Sequence, residues 1–336
     1  MAEREARDDK VVSIDEARTR KFDRLYLEAD AIAREDAWKA GEVGFISRTL
    51  VQATLPYKEI KGNPPVWGRT AGRYSLVIQP GVYLRDEATV DSSGRRRVSS
   101  QPTFIGYPYG TKPRLILSWL GREIKRKGER QIVLGKSLGQ FMNALGVDSI
   151  SGGRNGSITQ VREQMRRLFS ARIALIEDST TRLTTGHAVD WSMEGMSIAD
   201  SQRFWWDAKN PNQDALFDST VTLSERFFND MRDNGVPLDM RILRALKNSP
   251  LELDLYSFLT YRFFTLSKRT TIPWEYLQVQ FGTATKSERR FRQQLRSALK
   301  SVLAVYTDAK VDPDSPAGLI LFPSRSSVRK IANRDD

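Results

Sequence analysis

The sequence predicts an α+β chain of two tandem winged helix-turn-helix domains behind a flexible or helical N-terminal arm. Three observations predict it. A strongly basic amphipathic helix stands near the carboxy terminus, and the order helix, short strand, helix, helix, β-hairpin occurs twice. The balance of charge is also positive, with 53 Lys and Arg against 41 Asp and Glu and a formal net charge of +12.

Length and composition set the frame. A chain of 336 residues suggests two domains, and 40% hydrophobic with 10% aromatic residues is enough to build cores, which excludes global disorder. The basic excess points to nucleic acid first, and to an anionic membrane or ribosome second. With 0 Cys there are no disulfides, no Cys-ligated zinc and no thiol nucleophile. The one histidine, His187, leaves no basis for paired-histidine metal sites, histidine-dependent triads or two-histidine nickases. Beside Thr184, Thr185 and Gly186 it reads as a loop or hairpin residue. No apolar run approaches the ~20 residues that span a bilayer, and the start MAEREARDDK is unlike a signal peptide. The expectation is a cytoplasmic protein with no membrane partner, cofactor or metal.

Taken in order, residues 1–45 form a charged arm, in which Ser13 and Glu16 could cap a helix reaching toward Trp38; equally, it could be a tail that orders on a partner. A β-rich segment follows, with strands at 74–78 and 103–105; the loop 92–100 carries Arg95, Arg96 and Arg97, either solvated or against phosphate. Pro113 opens a helix to 127 whose Leu115, Ile116, Trp119, Leu120 and Ile124 share a face. A strand at 132–134 and a helix at 138–145, ended by Gly146, come next. After the turn SISGGRNGS, Ser157 and Gln160 suggest a capping box for a third helix burying Val161, Met165, Leu168 and Phe169. A strand at 173–176 and a polar hairpin at 182–187 complete the first copy.

Residues 191–249 separate the copies: a strand at 203–206, whose aromatics suit a core or a base-stacking platform, then helices at 221–231 and 237–247 around the Asn234-Gly235 turn. In the second copy Leu255, Phe258, Leu259 and Phe263 match Ile116, Trp119, Leu120 and Ile124. A short extended piece at 270–272 and a helix from Pro273 to Phe281 follow. The third helix comes next, then strands at 303–306 and 318–322 around the loop 307–317. The domains predicted are 46–222 and 223–324, with a basic and polar tail at 325–336.

The second third helix carries the chemistry. Thr285 and Glu288 suggest a capping box. Phe291, Leu295, Ala298, Leu299 and Val302 form an apolar stripe, while Lys286, Arg289, Arg290, Gln293, Arg296, Ser297 and Lys300 point away from it and Arg292 lies on the flank. Six basic residues against one acid between 286 and 300 give a local +5. Arg forks match guanine O6/N7 and phosphate, and Gln matches the adenine edge. A solvated basic face gives the same stripe, but such a face normally carries acids at i,i+4, and these are nearly absent. The corresponding face of the first copy holds Thr159, Gln160, Glu163, Arg166 and Arg167, a smaller positive charge. The carboxy-terminal copy is therefore expected to read bases, and the other to hold phosphate through Arg162, Arg166 and Arg167, with Arg162 and Arg292 as flanking clamps. The second wing sets Asp308, Asp312 and Asp314 against Lys310, and is expected to face away from DNA or toward a protein. Gly135-Lys136-Ser137 resembles the end of a phosphate-binding loop, but Arg130 stands where its leading glycine belongs, so no enzymatic activity is expected.

Four stretches, GYPYGTKPRLILSWL from Gly106, REQMRRLF from Arg162, VPLDMRILRALKNSPLELDLYSFLTYR from Val236 and PWEYLQVQFG from Pro273, resemble the plasmid-encoded RepA-type replication initiators. The likeness runs over about 55–322 and leaves the amino-terminal arm outside. It implies sequence-specific binding to repeats of a double-stranded plasmid origin through two winged-helix domains, and opening of the duplex. It also implies recruitment of the host initiator and replicative helicase, passage between monomer and homodimer, and often repression of its own promoter. A winged-helix transcriptional regulator with no replication role is the alternative.

Overall fold

The computed structural model describes residues 14–71, 74–90, 96–147, 149–178, 191–206, 209–282 and 287–329. His187, the 182–187 hairpin, Ser13, Arg95, Thr285 and Lys286 lie outside the described residues.

The arm is a helix, α1 (Ile14–Ala33). Then come β1 (Val43–Ser47), α2 (Arg48–Gln52), β2 (Trp67–Ala71), β3 (Tyr74–Gln79), β4 (Val82–Val90) and β5 (Arg96–Phe104). β4 and β5 pair only with each other, as a ribbon. The first helical unit is α3 (Thr111–Lys127), β6 (Gln131–Gly135), α4 (Leu138–Ala144) and α5 (Ser157–Ser170), followed by β7 (Arg172–Asp178), β8 (Trp191–Ser197), β9 (Ala199–Arg203) and β10 (Ser219–Leu223). A bridge of α6 (Glu225–Asn234), β11 (Gly235–Asp239) and α7 (Met240–Ala245) leads to the second unit. That unit is α8 (Pro250–Thr265), β12 (Thr270–Ile272), α9 (Trp274–Phe281), α10 (Glu288–Val305), β13 (Val311–Asp312) and β14 (Leu319–Leu321). No helix of the described residues is long and apolar enough to cross a membrane.

α3 is the centre of the molecule. Leu115, Ile116, Leu117 and Leu120 are all fully buried, because neighbours cover the helix on every side. Gly121 sits where it meets β1: a Cβ there would lie 2.3 Å from the Phe45 carbonyl oxygen. Gly128 ends the helix in the left-handed region, φ 69, its N–H bonded to the Ile124 carbonyl at 2.9 Å.

The two units form matching sheets. In the second, β12 pairs with β14, which pairs with β13. In the first, β6 pairs with β10, which pairs with β9. This corrects the expected position of the first hairpin. The strand after α5 does not return to β6; β7 and β8 join β3 and β2 in a four-stranded antiparallel sheet, and the strands facing β6 arrive only afterwards. Several local boundaries also move. Residues 219–223 and 235–239 are strands, not helix starts, each with alternating or buried positions that periodicity alone confuses with a helix edge. Phe204 to Trp206 lie past the end of β9: Trp206 stacks on Phe141 with centroids 5.4 Å apart, while Trp205 is exposed beside Phe217. The strand expected at 303–306 is instead the last turn of α10; β13 forms at 311–312, within the expected loop, and β14 is shorter than the 318–322 expected.

The halves are stitched across the sequence. β1 pairs antiparallel with β11 over five residue pairs. Arg114 of α3 makes a buried bidentate ion pair with Asp254 of α8, Nε to Oδ1 at 2.7 Å and Nη2 to Oδ2 at 2.8 Å. Its remaining N–H groups donate to the carbonyls of Gly110, Pro56 and Leu55. Tyr57 lies between two guanidinium groups, Arg114 at 5.2 Å and Arg69 at 5.1 Å from its ring centroid. Arg69 in turn donates to the carbonyls of Gln280 and Gly282 at the end of α9. Removing one partner of a buried pair leaves a bare charge. Asp254→Ala should therefore lower unfolding stability by about 3–5 kcal/mol in a urea titration.

Three buried tyrosines add a pH limit. Burial raises the Tyr256 phenol above its ordinary 10.0, with the Asp239 charge adding to it; burial does the same to Tyr57 and Tyr306. A raised folded pKa means the folded state holds its proton more tightly than the unfolded chain. Stability from these groups is intact below pH 10 and is lost as pH rises beyond it toward the folded values. Urea midpoints should be insensitive to these phenols at pH 7–9, about one unit and more below that value, and fall steeply above pH 10.

Candidate nucleic-acid interface

α10 begins later than the Thr285–Glu288 pattern suggests. Ser287 is its N-cap, accepting from the Arg290 N–H at 3.4 Å, and Glu288 is the first helical residue. Phe291, Leu295 and Val302 are fully buried and Leu299 and Ala298 nearly so, which fixes the helix by one face. The opposite face is open: Arg289, Arg290, Gln293 and Lys300 are exposed. Among the described residues, none of Arg289, Arg290 and Lys300 has an ion-pair partner.

The other two arginines of α10 are engaged. Arg292 pairs with Glu288 and lies 5.2 Å from the ring centroid of Trp274. Arg296 sits 5.6 Å from the same ring, donates from Nε to the Pro313 carbonyl at 2.9 Å, and is 3.6 Å from Asp314 Oδ1. Trp274 is itself buried, its indole N–H donating to the Ser315 carbonyl at 3.1 Å. The acidic loop thus lies against α10, and Asp314 offsets one of the helix's own cations.

α5 differs. Gly156, not Ser157, holds the N-cap position, and the expected capping box does not form. Ser157, Thr159 and Gln160 instead donate to the carbonyls of Ser149, Gly153 and Asn155, sewing the Gly/Ser turn onto the helix. Arg167 is withdrawn from solvent, with 14% of its side chain exposed. Burial lowers its pKa, but the hydrogen bonds it donates to Glu163 at 2.9 Å and Glu59 at 3.0 Å outweigh that and raise it. It also stacks on Tyr109 at 5.2 Å. Its guanidinium is already bonded inside the protein, to Glu163, Glu59 and the Tyr107 carbonyl. Arg166 is exposed but leans on Glu163 at 3.4 Å. Arg162 is exposed and has no ion-pair partner among the described residues.

The α10 face is also the floor of an open groove of about 1030 Å³, with Ala17, Arg18, Lys21 and Phe22 of α1 forming the opposite wall. The distance in sequence between α1 and α10 hides this pairing; the only local signal is the apolar spacing of Phe22, Leu25 and Ala29.

Residues 107–276 match the family described as "Plasmid encoded RepA protein", half of the chain. The chain belongs to that family. α1 and α10 both lie outside the matched stretch. Among solved structures the chain is similar to domains 2 and 3 of RctB. A crystal structure of their selenomethionine derivatives has 9% identity and a TM-score of 0.46, covering 76% of this chain and 85% of that one. A second crystal structure of the same domains has 11% identity and a TM-score of 0.45, covering 81% and 93%. Among curated proteins none matches.

The contrast within α5 can be measured. Arg167→Ala removes its contacts with Tyr109, Glu163 and Glu59, carboxylates exposed enough to rehydrate, and should cost about 1 kcal/mol of stability; Arg162→Ala should stay within about 0.5 kcal/mol of the parent. Paired urea titrations check both.

Proposed function

We propose that this RepA-family protein is a sequence-specific double-stranded DNA-binding initiator of plasmid replication. In this reading two winged helix-turn-helix domains, 46–222 and 223–324, occupy the origin repeats. The order α8, β12, α9, α10, β13, β14 and its counterpart with β6, β9 and β10 support that architecture. The observation that carries the proposal is α10: buried along one face, it presents exposed Arg289, Arg290, Gln293 and Lys300 on the other. Arg forks and a Gln amide on a helix held from behind suit base edges in the major groove.

Roles divide by how each side chain is held. Arg289, Gln293 and Lys300 are the base-facing candidates, with Arg290 beside them; Lys286, outside the described residues, joins them on sequence alone. Arg292 and Arg296, anchored on Trp274, act at the groove's rim toward phosphate. In the first domain Arg162 contacts phosphate and Arg166 assists it after leaving Glu163. Bound origin DNA is then opened, and host initiator and replicative helicase are recruited; a homodimer serves adjacent half-sites. No cofactor and no catalytic group enters this scheme.

Arg289→Ala should cost about 1–3 kcal/mol on the cognate repeat and relax specificity there, read by fluorescence anisotropy on cognate and scrambled duplexes. With about 6–10 phosphate contacts, affinity should fall about 10³–10⁵-fold from 50 to 200 mM salt, and a flat profile would refute the electrostatic account. A protein that represses a promoter yet fails to sustain a plasmid carrying the origin would be a transcriptional regulator instead.

A further inference from the structure

We propose that α1 is the second half of the DNA site, a backbone clamp that grips the phosphate strand running beside the base-reading helix. This rests on the reading of α10 given above and adds to it an element outside the family-matched stretch. Three observations carry it. α1 is fastened to the body: Leu25 is fully buried, Arg24 donates to the Ala245 carbonyl at 3.0 Å, and Lys21 pairs with Glu252, whose side chain is 6% exposed. Fastened there, α1 runs along the open face of α10 and makes the groove's other wall. The charged groups of the lining are nearly all cations: Arg18 and Lys21 from α1 face Arg289, Arg292, Arg296 and Lys300 from α10, and the one acid among them, Glu288, is bound to Arg292.

Charge and placement support the occupant. The cations of α1 line one flank of α10, and a helix seated in the major groove, about 12 Å wide, has a phosphate strand on each flank. Arg18, exposed and without an ion-pair partner among the described residues, is the side chain placed to meet it. Lys21 is a positioning residue, held toward Glu252. Such a clamp supplies affinity without sequence preference.

The test compares Arg18→Ala and Arg18→Glu with Arg289→Ala in the full-length protein, by anisotropy on cognate and scrambled duplexes over a salt series. Arg18 is exposed, so thermal melts of its variants should match the parent. A clamp predicts that Arg18→Ala weakens both duplexes by the same factor and lowers the salt slope by about 1, that Arg18→Glu weakens both further, and that only Arg289→Ala narrows the gap between cognate and scrambled DNA. If Arg289→Ala relaxes specificity while both Arg18 variants bind like the parent, the clamp is wrong and the α10 reading survives. Tighter binding by Arg18→Glu would overturn the clamp, showing that α1 covers α10 instead. If neither position matters, both readings fall.

Discussion

The structure turns on one desolvated cation. Arg114 brings a charge that water no longer reaches, and the site closes only because α8 supplies Asp254 and the 55–57 loop and Gly110 supply carbonyls. A guanidinium in a fixed fork tolerates few arrangements of such partners, so α3, α8 and that loop must meet in one way. Tyr57 carries the constraint onward, since its ring lies between Arg114 and Arg69, and Arg69 holds the carboxyl end of α9. α5 packs on α3, and α10 packs on α8 and α9. One polar junction thereby sets where the two exposed helix faces stand relative to each other.

What could be read in the sequence follows the range of the interaction. α10's apolar stripe is a local 3.6-residue pattern, and every one of Phe291, Leu295, Ala298, Leu299 and Val302 is buried. The second unit's order was legible because its sheet closes within one short stretch. The first unit's sheet was not: β6 finds β10 only after β7 and β8 have gone to another sheet, and nothing in residues 131–135 announces a partner at 219–223. Polar ends of side chains were the least legible. Arg162 and Arg167 lie on neighbouring turns of α5 with the same chemistry; what separates them is Glu59, brought up from a distant loop. Likewise the Thr285–Glu288 spacing suggests a cap two residues early, and Ser287 takes that place because there the chain turns into the helix.

These assignments change how the charge of the whole molecule should be weighed. A net +12 suggests a polyanion as partner, but much of the arginine is spent inside the fold. Arg69, Arg114 and Arg167 are bonded within the protein, Arg241 is paired with Asp239, and Arg244 with Glu42. Such groups release few counterions on binding DNA, so they contribute little to its salt dependence. Exposed cations without ion-pair partners among the described residues are spread over the surface, and the α10 groove brings Arg18, Arg289 and Lys300 of them onto two facing helices. Even there the protein tempers the field, since Asp314 stands 3.6 Å from Arg296. An exposed pair of this kind is worth only about 0–1 kcal/mol, so a phosphate or a base edge can displace the carboxylate at small cost. Composition names the class of partner, while the pairing and placement of each arginine decide which of them can meet it together.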